Sequence, residues 1–134
     1  MKFIKGVTFA PFVPSGCLGT EEAKESLVKM KERTGADFVI LAPGAVQETP
    51  ISEEIDFRSE RTMTDAELID TIRQAKNLGL RVALKPTVNC ADGTWRAHIN
   101  FFDEDVVCEP KWGNWFASYR AFQEHYARLA QQCG

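Results

Sequence analysis

Two glycine turns constrain this chain more than any other feature. Gly35 and Gly79 each stand where a helical pattern stops, and an apolar run follows almost at once. Glycine suits that place because a helix most readily ends on a left-handed residue, which a side chain opposes. Ahead of Gly35, Ala23, Leu27 and Met30 fall at helical spacing, with Thr20 as N-cap of a helix over 21–34. Ahead of Gly79, Thr64-Asp65-Ala66-Glu67 is a capping box, in which hydroxyl and carboxylate satisfy each other's orphan backbone donors. Leu68, Ile69, Ile72 and Ala75 line one face of that second helix. Behind the turns lie Asp37-Phe38-Val39-Ile40-Leu41-Ala42 and the run from Arg81 to about Val88, continuous enough for strands covered on both faces. A first strand over 3–9 precedes them, and a third helix carries Trp115, Tyr119, Phe122, Tyr126 and Leu129 as one apolar stripe. Strands alternating with helices imply a parallel sheet with right-handed crossovers, so the expected fold is α/β, with three parallel strand–helix units in one domain over 1–134.

The connections are unequal. Both helix-to-strand turns are short, whereas the loops from Pro43 to about Met63 and from Asn89 to about Lys111 are long for a compact domain. In a βα barrel these longer loops emerge at the C-terminal face of the strands, where chemistry is done. In the third strand, Val82, Leu84, Pro86 and Val88 share the side suited to helices, and Arg81, Ala83, Lys85, Thr87 and Asn89 share the other. The second set would point into a barrel and climb toward its mouth. Three strands cannot close a barrel, which takes eight strands and about 250 residues. Its bare edges would invite pairing. The expectation is therefore a partial TIM barrel, open unless other copies complete it: either the N-terminal part of a longer enzyme or a chain that forms a homo-oligomer.

Composition narrows the function. A net charge of −3 with mixed acids and bases argues against nucleic acid as partner. No apolar run approaches the roughly 20 residues of a membrane span. No secretory leader is read at Met1–Gly6, so a cytoplasmic chain is expected. Cys17, Cys90, Cys108 and Cys133 form no close pair, which argues for free thiols and against a metal site. No Gly-rich phosphate loop or nucleophile elbow is present, and no cofactor is expected.

The polar and aromatic loop residues are the candidates for binding. Trp95 offers a flat face and Arg96 planar donors, the pairing that a sugar site needs. Lys85 in a strand must be paired or wet. Trp112 at the start of the third helix is free to line a cleft, whereas Trp115 belongs to the core stripe. His98 reads as structural and His125 as a surface residue. Glu48, Glu53, Glu54, Asp56 and Glu60, mixed with Arg58 and Arg61, read as a solvated, self-paired loop. Glu48, nearest a strand end, is the acid best placed for the active face, and Asp103, Glu104 and Asp105 read as a solvated run.

Three groups of segments together resemble the N-terminal portion of glycoside hydrolase family 113, the β-mannanase-type TIM barrels. They are KGVTFAPF (5–12); TGADFVILAPGAVQETP (34–50) with TMTDAELIDTIRQAKNLGLRVALKP (62–86); and WRAHINF (95–101) with WFASYRAFQEHYARLA (115–130). The resemblance implies retaining hydrolysis of a β-linked polysaccharide, with one Glu as acid/base and one as nucleophile about 5 Å apart. It places those glutamates at the ends of strands four and seven, so neither falls within these residues. It implies sugar-binding roles for Lys85, Asn89, Trp95 and Arg96, puts Phe9 at the pocket floor, and sets Thr87 where the family uses a histidine. The rival reading is a non-catalytic, self-associating partial barrel or glycan-binding module.

Overall fold

The computed structural model describes residues 3–10, 15–101 and 111–134. Cys108 and the run Asp103–Asp105 lie outside the described residues, as does the segment 11–14 of the first loop. In order, the elements are β1 (Gly6–Phe9), α1 (Glu21–Thr34), β2 (Phe38–Leu41), β3 (Gly44–Gln47), α2 (Asp65–Asn77), β4 (Arg81–Leu84), β5 (Thr87–Cys90) and α3 (Lys111–Cys133). All the strand pairs are parallel, in the orders β1-β2-β4 and β3-β5. This is the expected partial barrel of strand–helix units, with one refinement.

The second and third strands each come in two pieces, and both break at a proline. β2 and β3 flank Ala42-Pro43, while β4 and β5 flank Lys85-Pro86. Phe38 pairs with Arg81 below the breaks and Gly44 with Thr87 above them, the same register throughout, so the two prolines lie side by side. Proline lacks the N–H that a ladder needs. The backbone bridges the gap through Lys85 N–H to Leu41 O (2.8 Å) and Thr87 N–H to Pro43 O (3.0 Å). The second strand therefore runs on to Gln47 instead of yielding to a loop at Pro43, and Cys90 lies in β5 instead of a loop.

The helices end as their sequences require. Thr20 Oγ1 accepts from Ala23 N–H at the start of α1, and Gly35 closes it at φ 62°. The capping box of α2 forms in full around Thr64 and Glu67. At its far end Gly79 turns at φ 75°, with Gly79 N–H on Lys76 O and Leu80 N–H on Ala75 O. A further tie recurs between neighbouring helices. Lys31 of α1 donates its ammonium to Leu78 O at the end of α2. Lys76 of α2 does the same to Cys133 O and Gly134 O at the end of α3, both at 2.6 Å.

The core lies between the sheet and the helices. Val39, Leu41 and Ala45 of the strands meet Leu27 of α1, Leu68, Ile72 and Ala75 of α2, and Phe122, Tyr126 and Leu129 of α3. His125, expected at the surface, is half-buried. It packs on Phe57 and Tyr126, and its Nε2 lies 2.8 Å from Asp65 Oδ1. Helical phase explains this, because His125 sits beside Phe122 and Tyr126 on the stripe. Tyr126 has its hydroxyl buried without a hydrogen-bond partner, and burial pushes its phenol up to about 12.

Two outcomes follow. Phe122 is fully buried against Phe57 and Tyr126, so Phe122→Ala should lower unfolding stability by about 3–5 kcal/mol, read from a urea midpoint. For Glu67, burial pushes the carboxyl up. Hydrogen bonds from Thr64, Gly16 and Gly19 outweigh it and hold the group below its ordinary 4.5. A carboxyl depressed in the folded state adds stability above the unfolded value, and that stability is lost as pH falls through the depressed value. The urea midpoint should drop as pH is lowered from 4.5, and Glu67→Gln should flatten that slope.

Candidate functional site

Residues paired across parallel strands point the same way, so the register sorts every strand residue onto one of two faces. Val39, Leu41, Ala45 and Val88 take the helix face and are buried. Thr8, Ile40, Ala83, Gly44, Val46, Lys85, Thr87 and Asn89 take the open face. The strands thus lift a lysine, a threonine and an asparagine in sequence along one side toward their C-terminal ends. Lys85 is exposed and Asn89 half-buried. Gly44, beside Thr87, has nothing within 4 Å of where a Cβ would stand, so that position opens directly onto the face. Thr87 carries a buried Oγ1 with no hydrogen-bond partner. The open-face strand positions include no Asp or Glu.

Phe9 is placed elsewhere. It pairs in register with Leu41, which is fully buried, and packs on the helix-side core. An even-numbered position was needed on β1 to reach the open face, and Thr8 holds it.

Two loops form the rim. The backbone zips them together above the strands: Ala91 N–H donates to Gln47 O (2.8 Å), Asp92 N–H to Glu48 O (3.2 Å) and Asn100 N–H to Pro50 O (3.3 Å). In the loop after β5, Gly93 turns at φ 83° and Thr94 N–H is held by Asp92 Oδ1, leading into a 3-10 turn over Arg96–His98. Trp95 is 69% exposed and meets His98 edge to face at 6.0 Å, while Arg96 is half-buried. Trp112 is half-buried too. It meets Phe101 edge to face at 4.7 Å and stacks on Phe116 at 5.7 Å.

In the loop after β3, Arg61 reaches Glu48 at 2.5 Å and Asp56 at 3.5 Å. This is the self-paired loop that its mixed charges imply, and Glu48 is held by it at the rim. Burial would raise the Asp56 carboxyl, but hydrogen bonds from Ser59 and Arg58 and the charge of Arg61 keep it below the usual range. Asp56 also exchanges backbone hydrogen bonds with Val46, which covers the edge of β3 away from β5. Burial, with Asp92 nearby, pushes the Cys90 thiol up, so this cysteine stays protonated. Cys17, Cys90 and Cys133 are free, and no group of three or more metal-ligating side chains occurs among the described residues. Nor is any helix there long and apolar enough to cross a membrane.

The organising residue of the rim is one that sequence reasoning missed. Gln47 is 1% exposed, and its amide contacts Thr49, Ser52 and Trp115. The available signal was a polar residue in phase with Val39, Leu41 and Ala45, legible only if the strand is carried past Pro43.

Comparison with known proteins agrees with this geometry. The family model described as Glycoside Hydrolase Family 113 matches residues 7–134. Two solved structures, one of a GH113 beta-1,4-mannanase and one a complex structure of a GH113 beta-1,4-mannanase, each superpose with a TM-score of 0.90 and 53% identity, over 99% of this chain and 43% of theirs. The GH113 beta-mannanase AaManA from Alicyclobacillus acidocaldarius, in complex with ManMIm, gives 0.89 and 38% over 100% of this chain and 42% of that one. The chain thus spans less than half the length of these enzymes. No curated protein matches it. By its match along nearly the whole length and its identity to these solved mannanases, this chain belongs to glycoside hydrolase family 113.

Proposed function

We propose that this chain supplies the sugar-binding wall of a retaining glycoside hydrolase acting on β-mannan or a similar β-1,4-glycan. The observation that carries the reading is the ascent of Lys85, Thr87 and Asn89 along the open face, in a chain 53% identical to a beta-1,4-mannanase. Lys85 and Asn89 offer donors and an acceptor to sugar hydroxyls, and Trp95 and Trp112 offer flat faces for pyranose rings. Arg96 and Glu48 complete the rim as planar donor and acceptor. Phe9 has no part in it.

Glycoside cleavage needs one carboxyl to protonate the leaving oxygen and a second to attack the anomeric carbon, about 5 Å apart in a retaining enzyme. The open-face strand positions described above hold none, and the matched enzymes are more than twice as long as this chain. On this reading neither catalytic glutamate lies on the strands of this chain, and the present residues bind and orient without cutting.

A second reading has one observation in its favour. The outer edge of β4 borders a groove of about 510 Å³ lined by Ile72, Leu80, Val82, Leu84, Ala130 and Cys133. An edge of that kind accepts another strand, and a second copy of the chain is able to supply one.

Three measurements decide. Isolated chain incubated with soluble mannan should release no reducing ends; release would move suspicion to Glu48, with Glu48→Gln as the check. Mannohexaose should change the tryptophan fluorescence of the chain, and Trp95→Ala should weaken that binding about tenfold through loss of stacking. Light scattering separates the readings: a defined oligomer favours the self-associating module, and a monomer that binds mannohexaose removes it.

A further inference from the structure

Gln47 occupies a position on the helix face of β3 where the stripe Val39, Leu41, Ala45 would continue with an apolar side chain. Both ends of its amide are engaged. Nε2 donates to Thr49 O at 2.8 Å and to Ser52 O at 3.4 Å, and Oε1 accepts from the indole N–H of Trp115 at 2.9 Å. Trp115 in turn stacks on Tyr119 at 5.1 Å and 10°, and Tyr119 leads to the buried Phe122. Two more ties run the same way: Ile55 N–H to Ser118 Oγ at 2.9 Å, and Asn114 Nδ2 to Glu53 Oε2 at 2.6 Å. Through its backbone oxygen Gln47 also holds Ala91, the first residue after β5. One side chain thus gives the loop after β3 and the first turns of α3 a common reference to the core.

We propose that Gln47 is a positioning residue for glycan binding, setting the height of the rim loop above β3 and β5 by locking it to Trp115. This rests on the reading of the open face as a sugar-binding wall. An apolar residue fills the same space, but it leaves Ser52 O and the indole N–H without this partner and Thr49 O with the Ser52 N–H alone, and the loop keeps only the Ile55–Ser118 and Glu53–Asn114 ties to the helix. The gap between residues that touch sugar and the core that must hold them still is where a second layer of hydrogen bonds acts.

The test uses the 134-residue chain and two variants. Gln47→Met keeps the volume and removes the amide, and Trp115→Phe keeps a ring on Tyr119 and removes the indole donor. Amide exchange and calorimetric titration with mannohexaose are measured on all three. In both variants the amides of Ser52, Ile55 and Asp56 should exchange about tenfold faster while Val39 and Leu41 keep their rates. Mannohexaose affinity should fall about fivefold. Unchanged loop exchange overturns the proposal. So does a uniform acceleration that includes Val39 and Leu41, which marks general destabilisation, or a loosened loop with wild-type affinity. If the unmodified chain takes up no mannohexaose, the sugar-wall reading itself fails, and the exchange rates alone decide whether Gln47 positions the loop.

Discussion

The side-by-side placement of Pro43 and Pro86 governs much of this structure. A proline in the middle of a sheet removes a ladder hydrogen bond, and one unmatched proline invites a slip in register. Here the two interruptions coincide, and the bonds from Lys85 to Leu41 and from Thr87 to Pro43 carry one register across them. Since side chains alternate along a strand, a slip of one residue would turn Lys85, Thr87 and Asn89 into the helices and bring Val88 and Cys90 out. The polar character of the open face depends on the breaks being aligned.

Above that break the molecule changes from a packing problem to a positioning problem. Below it, Val39, Leu41 and the helical stripes make an ordinary α/β interior that any comparable set of apolar residues would support. Above it, backbone hydrogen bonds between the two rim loops, the Glu48–Arg61–Asp56 cluster and the Gln47 amide take over. Apolar burial is indifferent to direction, while hydrogen bonds fix distance and angle. The sugar-binding wall proposed above would need the second kind of restraint.

Most of the architecture was legible in the sequence because its signals are local. Thr20, the capping box at Thr64–Glu67 and the glycines at 35 and 79 fix helix ends through contacts within a few residues. The spacing of Trp115, Tyr119, Phe122, Tyr126 and Leu129 declares a buried face. Strand alternation sorted Lys85, Thr87 and Asn89 correctly from Val82, Leu84 and Val88. What was hidden rests on pairing across long separations. Pro43-Gly44 reads locally as a turn, and only its partnership with Pro86-Thr87 makes it part of a strand. Losing β3 hid Gln47, and the facing of Phe9 was open until its register with Leu41 was known. The half-burial of His125 was hidden because a histidine in a charged helical stretch looks solvated until its aromatic neighbours are found on the same stripe.

The lysine ties at the far end of the sheet have a consequence of their own. Lys31 clasps the end of α2, and Lys76 clasps the end of α3, so the second and third helices are each tied to the one made before it. A growing polypeptide thus meets a lysine already in place on the preceding helix as each later helix closes, a tie that is available before any strand further along the sheet is made.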